Sequence, residues 1–132
     1  MIERPMERKP NNVIALKSSL KGGFFRMWLE FLRPFHKLTE RETDVMAAFL
    51  KHRFELSKVV SDQEVLDKLT MSEDTKRKVR EDCNISQAHF QVIMTKLKKS
   101  KMIDNGKINP RFIPRIGQDT KNFKLLLSFE LQ

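Results

Sequence analysis

The sequence predicts a mainly α-helical domain with an N-terminal arm and a short C-terminal β-strand. Three observations lead there. Serine or threonine caps stand before several amphipathic patterns, which is how helices announce their starts. Glycine is scarce, four residues in 132, which disfavours a turn-rich all-β chain. The closing segment "NFKLLLSFELQ" places Phe123, Leu125, Leu127, Phe129 and Leu131 on every second position, the period of a half-buried strand. A basic arm and aromatic helix are expected over residues 1–37, a helical core over 38–116 and a strand tail over 117–132. The length suits one domain with a modest core.

Charge narrows the partners. The net charge is +9, and it is uneven: residues 1–37 carry eight Lys and Arg against three acids, residues 38–70 five against seven, and residues 71–132 thirteen against seven. Basic ends around a slightly acidic middle favour a polyanionic partner. No apolar run approaches the roughly 18–20 residues needed to span a bilayer. "MIERPMERKP" alternates charges with no hydrophobic segment behind it, so it does not read as a secretory signal. A cytoplasmic origin is expected. Cys83 is the lone cysteine and is expected to be a small buried hydrophobe.

Residues 1–12 hold two prolines and "NN" and read as a flexible arm. "NVIALKSSL" fits a short strand or a helix start equally. Within "GGFFRMWLEFLRPF" (residues 22–35), Phe24, Trp28, Phe31 and Phe35 fall at i, i+4, i+7 and i+11, one stripe of a helix that Pro34 should end or bend near Arg33. Thr39 with Glu42 makes a capping box, opening a helix that buries Val45, Met46, Phe49, Leu50 and Leu56. Ser61 with Glu64 frames a second, short helix burying Val65, Leu66 and Leu69. Thr70 or Ser72 opens a third, Asn84 suits the left-handed residue that ends it, and Ser86 caps a fourth with Phe90, Ile93, Met94 and Leu97 inward. Pro110 and Pro114 keep "DNGKINPRFIPRIGQD" in turns and extended chain.

The stretch that carries function is "VREDCNISQAHFQVIMTKLKKSKMI", residues 79–103. A helix, a short turn in which Asn84 reverses the chain and Ile85 fills the gap between helices, a serine cap and a second amphipathic helix make a helix-turn-helix pattern. The segment resembles the helix-turn-helix of winged-helix and response-regulator output domains, whose I-A-E-E-L-G-I-S aligns with Val79 to Ser86. "LTERETDVM" is similar to their opening helix, and "KMIDNGKINPRFI" sits where a winged helix has its wing. Those families hold a small residue where this chain has Arg80, so a wider helix crossing or shifted register is expected. Outward positions of the second helix are Gln87, Ala88, Gln91, Thr95, Lys96, Lys98 and Lys99, with His89 at the boundary. Near its start Gln87 and Gln91 suit base edges, while Lys96, Lys98, Lys99 and Lys101 suit phosphates, with Thr95 between them. No arginine lies on this helix, and a solvated face with lysines near a helix C-terminus would carry the same residues.

Catalysis is not expected. His36, His52 and His89 lack metal spacing with carboxylates or Cys83 and read as surface or interface residues. No glycine-rich phosphate loop or nucleophile elbow is present. Neither a metal nor a cofactor is expected.

The aromatic stretch and the alternating tail exceed what a small helical core needs. Burying four aromatics is worth roughly 6–12 kcal/mol gross, and leaving them in water invites aggregation. Phe24, Phe25, Trp28 and Phe31, with Phe123, Leu125, Leu127 and Phe129, are therefore expected to contact partner chains, while Phe31, Leu32 and Phe35 also suit packing on the Thr39 helix. A membrane is disfavoured because the stretch is short and contains Glu30. The order of tail, capped helices, helix-turn-helix and "INPRFIP" resembles small basic proteins of crAss-like tailed bacteriophages. The resemblance rests on "GGFFRMWLEFLRPFHKLTERE", "NIS" and "GKINPRFIPRI" and spans about residues 20–116. It implies a virion component near the portal and head–tail connector, assembled in the host cytoplasm, forming a homo-oligomeric ring beside portal or other ring proteins and facing packaged double-stranded DNA. The alternative is a dimeric DNA-binding regulator of the winged-helix kind.

Overall fold

The computed structural model describes residues 13–132; the arm expected over residues 1–12 lies outside them. Six helices precede a two-stranded hairpin: α1 (Phe24–Phe31), α2 (Arg33–His36), α3 (Glu40–Ser57), α4 (Gln63–Thr70), α5 (Glu73–Cys83), α6 (Gln87–Lys99), β1 (Ile103–Asp104) and β2 (Lys107–Ile108). A 3₁₀ turn, Pro110–Phe112, follows. The mainly α expectation holds. Residues 13–19 form neither strand nor helix.

Helix α3 is the central element, and α1, α4, α5 and α6 all pack on it. Its start is the capping box read from the sequence: the Thr39 hydroxyl accepts from the Glu42 N–H at 3.3 Å, and the Glu42 carboxylate accepts from the Thr39 N–H at 3.2 Å. Val45, Met46, Phe49, Leu50 and Phe54 are buried along it. Phe54 takes the place expected for Leu56, which is only partly covered.

The aromatic stretch joins this core with a different stripe from the one expected. Phe25, Trp28, Leu29 and Leu32 are buried, at i, i+3, i+4 and i+7, whereas Phe31 is 48% exposed and Phe35 63%. Both stripes fit a 3.6-residue period one position apart, so spacing alone cannot choose between them. The chain also breaks at Leu32, because Pro34 has no N–H to continue the ladder, and Phe35 falls on the separate helix α2. Phe25 and Trp28 are thereby removed from the expected partner surface, since their own chain covers them. Phe24 is half-buried.

His36, expected at the surface, is 5% exposed. Its Nδ1 accepts the Leu38 N–H at 3.0 Å, so the proton sits on Nε2, which donates to the Leu29 carbonyl at 2.7 Å. The ring stitches α2 back to the end of α1. Outside the core, Arg26 bonds Asp44 (2.9 Å), Glu30 and Glu40, and Arg33 bonds Glu30 (2.7 Å) and Glu40 (2.9 Å). The Arg33 guanidinium, then Arg26, hold the Glu30 carboxyl below its ordinary range.

Helix α4 starts one residue later than expected: Asp62, not Ser61, accepts the Val65 N–H. Leu66 turns inward at 1% exposure, while Val65 (45%) and Leu69 (37%) stay largely in solvent. A helix of eight residues meets the core along one edge, so only one of the three apolar positions reaches it. Ser72 caps α5.

After α6 the chain reverses through Asn105 (φ 55°) and Gly106 (φ 73°), both left-handed. That is the two-residue turn whose twist suits an antiparallel hairpin, and it sets Ile103 opposite Ile108 and Asp104 opposite Lys107. Met102, Ile103, Ile108 and Phe112 are buried. The Trp28 indole N–H donates to the Phe112 carbonyl at 2.8 Å in a buried setting, which ties α1 to the segment after the hairpin.

The expected C-terminal strand does not form: residues 121–132 run without regular secondary structure. A strand needs an edge to pair with, and the hairpin is the one sheet among the described residues. Only Phe123 docks, edge-on to Phe24 (5.5 Å between ring centres) and to Trp28 (5.2 Å).

Trp28→Phe keeps most of this packing but strands the Phe112 carbonyl, and lowers unfolding free energy by about 1–3 kcal/mol in a urea titration. Trp28→Ala also opens a cavity and costs about 3–5 kcal/mol. If the two variants matched wild type, Trp28 would not hold the two segments together.

Candidate nucleic-acid interface

Helix α5 ends at Asn84 in the left-handed conformation (φ 50°, ψ 54°), as the sequence leads one to expect. Ile85 packs against the core, and the Ser86 hydroxyl accepts the His89 N–H at 3.1 Å to start α6. Two contacts fasten this turn to α3: Arg41 donates to the Cys83 carbonyl at 2.8 Å, and His52 Nε2 lies 2.7 Å from an Asp82 carboxylate oxygen. Both pairs join residues at least 30 positions apart, and neither was legible in the sequence.

Arg80 sits where the helix-turn-helix pattern leads one to expect a small residue. Its guanidinium lies over the Phe90 ring, 5.6 Å from the centroid. A flat cation can stack on an aromatic face where a bulkier or fully hydrated one could not. Arginine is accommodated here without an acidic partner among the described residues.

Phe90, Ile93, Met94 and Leu97 are buried, and they fix which face of α6 points outward. Gln87, Ala88, His89, Gln91, Val92, Thr95, Lys96, Lys98 and Lys99 are exposed, as is Lys101 just beyond. The Thr95 hydroxyl donates to the Gln91 carbonyl of its own helix at 3.0 Å, so only its lone pairs remain for a ligand. Lys96 lies 3.5 Å from Glu42, and Lys101 3.8 Å from Asp104. Lys98 and Lys99 have no carboxylate within 4 Å among the described residues.

Sequence reasoning named the lysines of α6 but passed over the basic residues beyond it. Lys107 on the hairpin, Arg111 on the 3₁₀ turn and Arg115 are all exposed. From Asn84 to Gln118 the chain holds seven Lys and Arg against the single Asp104. That near-absence of acids was the available signal. The hairpin packs on α6 and on α4, so the basic run belongs to one contiguous part of the domain.

Of the residues expected to meet partner chains, Leu125 (40%), Leu127 (50%) and Phe129 (79%) are exposed, Phe31 is half-exposed, and Phe123 is partly covered by Phe24 and Trp28. Leu126 (89%) and Leu131 (92%) are more exposed still.

An open groove of about 470 Å³ between α1, α3 and the end of α5 is lined by Arg26, Arg41, Asp44, Lys51, Asp82 and Cys83 among others. Burial, then the charge of Asp44, pushes the Cys83 thiol up to about 11, which leaves it protonated at neutral pH. Among the described residues no three His, Cys, Asp or Glu gather as metal ligands would, and no helix is long and apolar enough to cross a membrane. With its thiolate fraction roughly a hundredfold below that of an ordinary cysteine, folded Cys83 should react with a thiol-directed disulfide reagent far more slowly than the urea-unfolded chain does. Equal rates in the two states would contradict the burial. No protein-family model matches the chain, and no curated protein and no solved structure shows significant similarity to it.

Proposed function

We propose that the protein binds duplex nucleic acid through the outward face of α6 and the basic segment that follows it. The observation that carries this is the run from Asn84 to Gln118, with seven cationic side chains and one acid, built on a helix-turn-helix and a hairpin whose large apolar residues, apart from the exposed Val92, pack into the core. Lysines near the end of α6 suit phosphates, and each phosphate neutralised releases condensed counterions. Gln87 and Gln91, exposed in the first turns of α6, are at the end of a recognition helix that reaches base edges. With no arginine on α6, guanine recognition by a bidentate fork is missing, so phosphate contacts dominate and sequence preference is modest.

A second reading is favoured by the exposed apolar tail: a non-enzymatic subunit of a tailed-phage particle, as the resemblance implies, in which Leu125, Leu127 and Phe129 dock on neighbouring copies or on portal and ring proteins. Phe25 and Trp28 lend it no support, because they belong to the chain's own core.

A fluorescence-anisotropy titration against duplex DNA at several salt concentrations tests the first reading. Lys98→Ala and Lys99→Ala should each weaken binding on every duplex and reduce the slope of log K against log[salt] by about 1. Gln91→Ala should leave that slope unchanged and flatten whatever sequence preference exists. Wild-type protein that fails to bind at low salt, or lysine variants that bind as wild type does, would refute it.

A further inference from the structure

We infer that the C-terminal arm pairs with the same arm of a second copy, as a two-stranded antiparallel ribbon centred on Leu127. The inference concerns the arm alone and is independent of whether α6 meets DNA.

Residues 121–132 have the pattern of a strand but no partner strand among the described residues. Leu126, Phe129 and Leu131 are 89%, 79% and 92% exposed, and the backbone from Lys121 to Gln132 makes no hydrogen bond to another backbone group among the described residues. Exposed apolar side chains at alternating positions, on a backbone whose hydrogen-bonding groups are unpaired among the described residues, are what strand addition requires. The sequence itself identifies the partner. Set antiparallel to its own copy about Leu127, the segment "NFKLLLSFELQ" places Lys124 opposite Glu130, Leu125 opposite Phe129, Phe123 opposite Leu131 and Leu126 opposite Ser128. Leu127 meets Leu127 on the two-fold axis, and Asn122 meets Gln132.

All five odd positions then lie on one face, apolar throughout, and Lys124 and Glu130 of each arm find an opposite charge across the pair. Other registers lose this. A parallel in-register pairing sets Lys124 against Lys124 and Glu130 against Glu130, which is repulsive. Sliding the antiparallel pairing by one residue puts apolar positions opposite polar ones. Sliding it by two leaves Lys124 opposite Ser128 or Gln132. The register centred on Leu127 is the one that satisfies pattern and charge together, and it is isologous, as a closed dimer requires.

An isolated two-stranded ribbon is marginal in water, so it needs a body to lie on. Phe123 supplies the attachment: its ring already sits edge-on to Phe24 and Trp28. The apolar face of the ribbon therefore begins at the aromatic cluster of α1 on each copy.

Two experiments on the full chain decide it. In sedimentation-equilibrium measurements the wild type should dimerise. Lys124→Glu should raise the dissociation constant roughly tenfold, since both cross-strand charge pairs become like-charged, and adding Glu130→Lys in the same chain should restore it. In a Cys83→Ser background, Leu127→Cys should form a disulfide-linked dimer under mild oxidation, whereas Leu125→Cys should do so only when mixed with Phe129→Cys. The arm is exposed, so these changes leave the fold intact, as near-ultraviolet circular dichroism can verify. A wild type that stays monomeric, a charge reversal that is not rescued, or a Leu127→Cys chain that does not cross-link each overturns the inference and leaves the arm to a different protein. Whether α6 binds DNA at all is measured separately and does not hang on that outcome.

Discussion

The structure depends on α3 being buried on several sides at once. Val45, Met46 and Phe49 are fully enclosed, and α1, α4, α5 and α6 pack around them. Its first turn lies nearer the surface, with Thr39, Glu40 and Arg41 exposed, so a local cap has to satisfy the first N–H groups and fix where the helix begins. The Thr39–Glu42 box does this, and the Thr43 hydroxyl, itself buried, returns to the Thr39 carbonyl at 2.8 Å. Once α3 is placed, the remaining helices have a surface to cover, and their own caps decide where each begins. Arg53 on α3 reaches Asp67 and Gln63 of α4 at 3.2 and 3.1 Å, which helps hold that short helix, of which Leu66 and Thr70 are the deeply inserted residues.

The caps were legible because each lies within four residues of what it satisfies. Thr39, Asn84 and Ser86 act where the sequence placed them, and of the two caps it offered for α5, Thr70 and Ser72, it is Ser72 that acts. Ser61 failed for a local reason too, since Asp62 beside it is an equally good cap and the choice rests on where the helix meets the core. The aromatic stripe was harder. Phe24, Trp28, Phe31 and Phe35 keep helical spacing as well as Phe25, Trp28, Leu29 and Leu32 do, and only the docking on α3 decides between them. His36 was read as a surface residue because histidine usually is; what buries it is the chain break at Pro34, which brings the Leu29 carbonyl and the Leu38 N–H to the two ring nitrogens.

The site divides in the same way. The outward face of α6 was legible, because four apolar residues at helical spacing fix the opposite face. The clamps on the turn were not, since Arg41 reaches Cys83 and His52 reaches Asp82 across 42 and 30 positions. Arg80 looked like a fault in the helix-turn-helix pattern. Stacked on Phe90, it instead keeps a charge near the crossing while its planar group packs like part of the core.

Trp28 lies where the two outward-facing parts of the molecule meet. Its indole N–H holds the Phe112 carbonyl, next to Arg111 in the basic segment, and its ring carries Phe123, the root of the apolar arm. A rigid aromatic joined to both makes the direction in which the arm leaves the domain depend on the same contact that fixes the end of the basic segment. If the arms pair about a two-fold axis, that contact also sets how the two copies of α6 are disposed. A symmetric duplex would then meet two equivalent basic faces at a spacing governed by the ribbon rather than by α6 itself. On that reading Trp28 bears on recognition from inside its own chain, by orienting the segments that face outward.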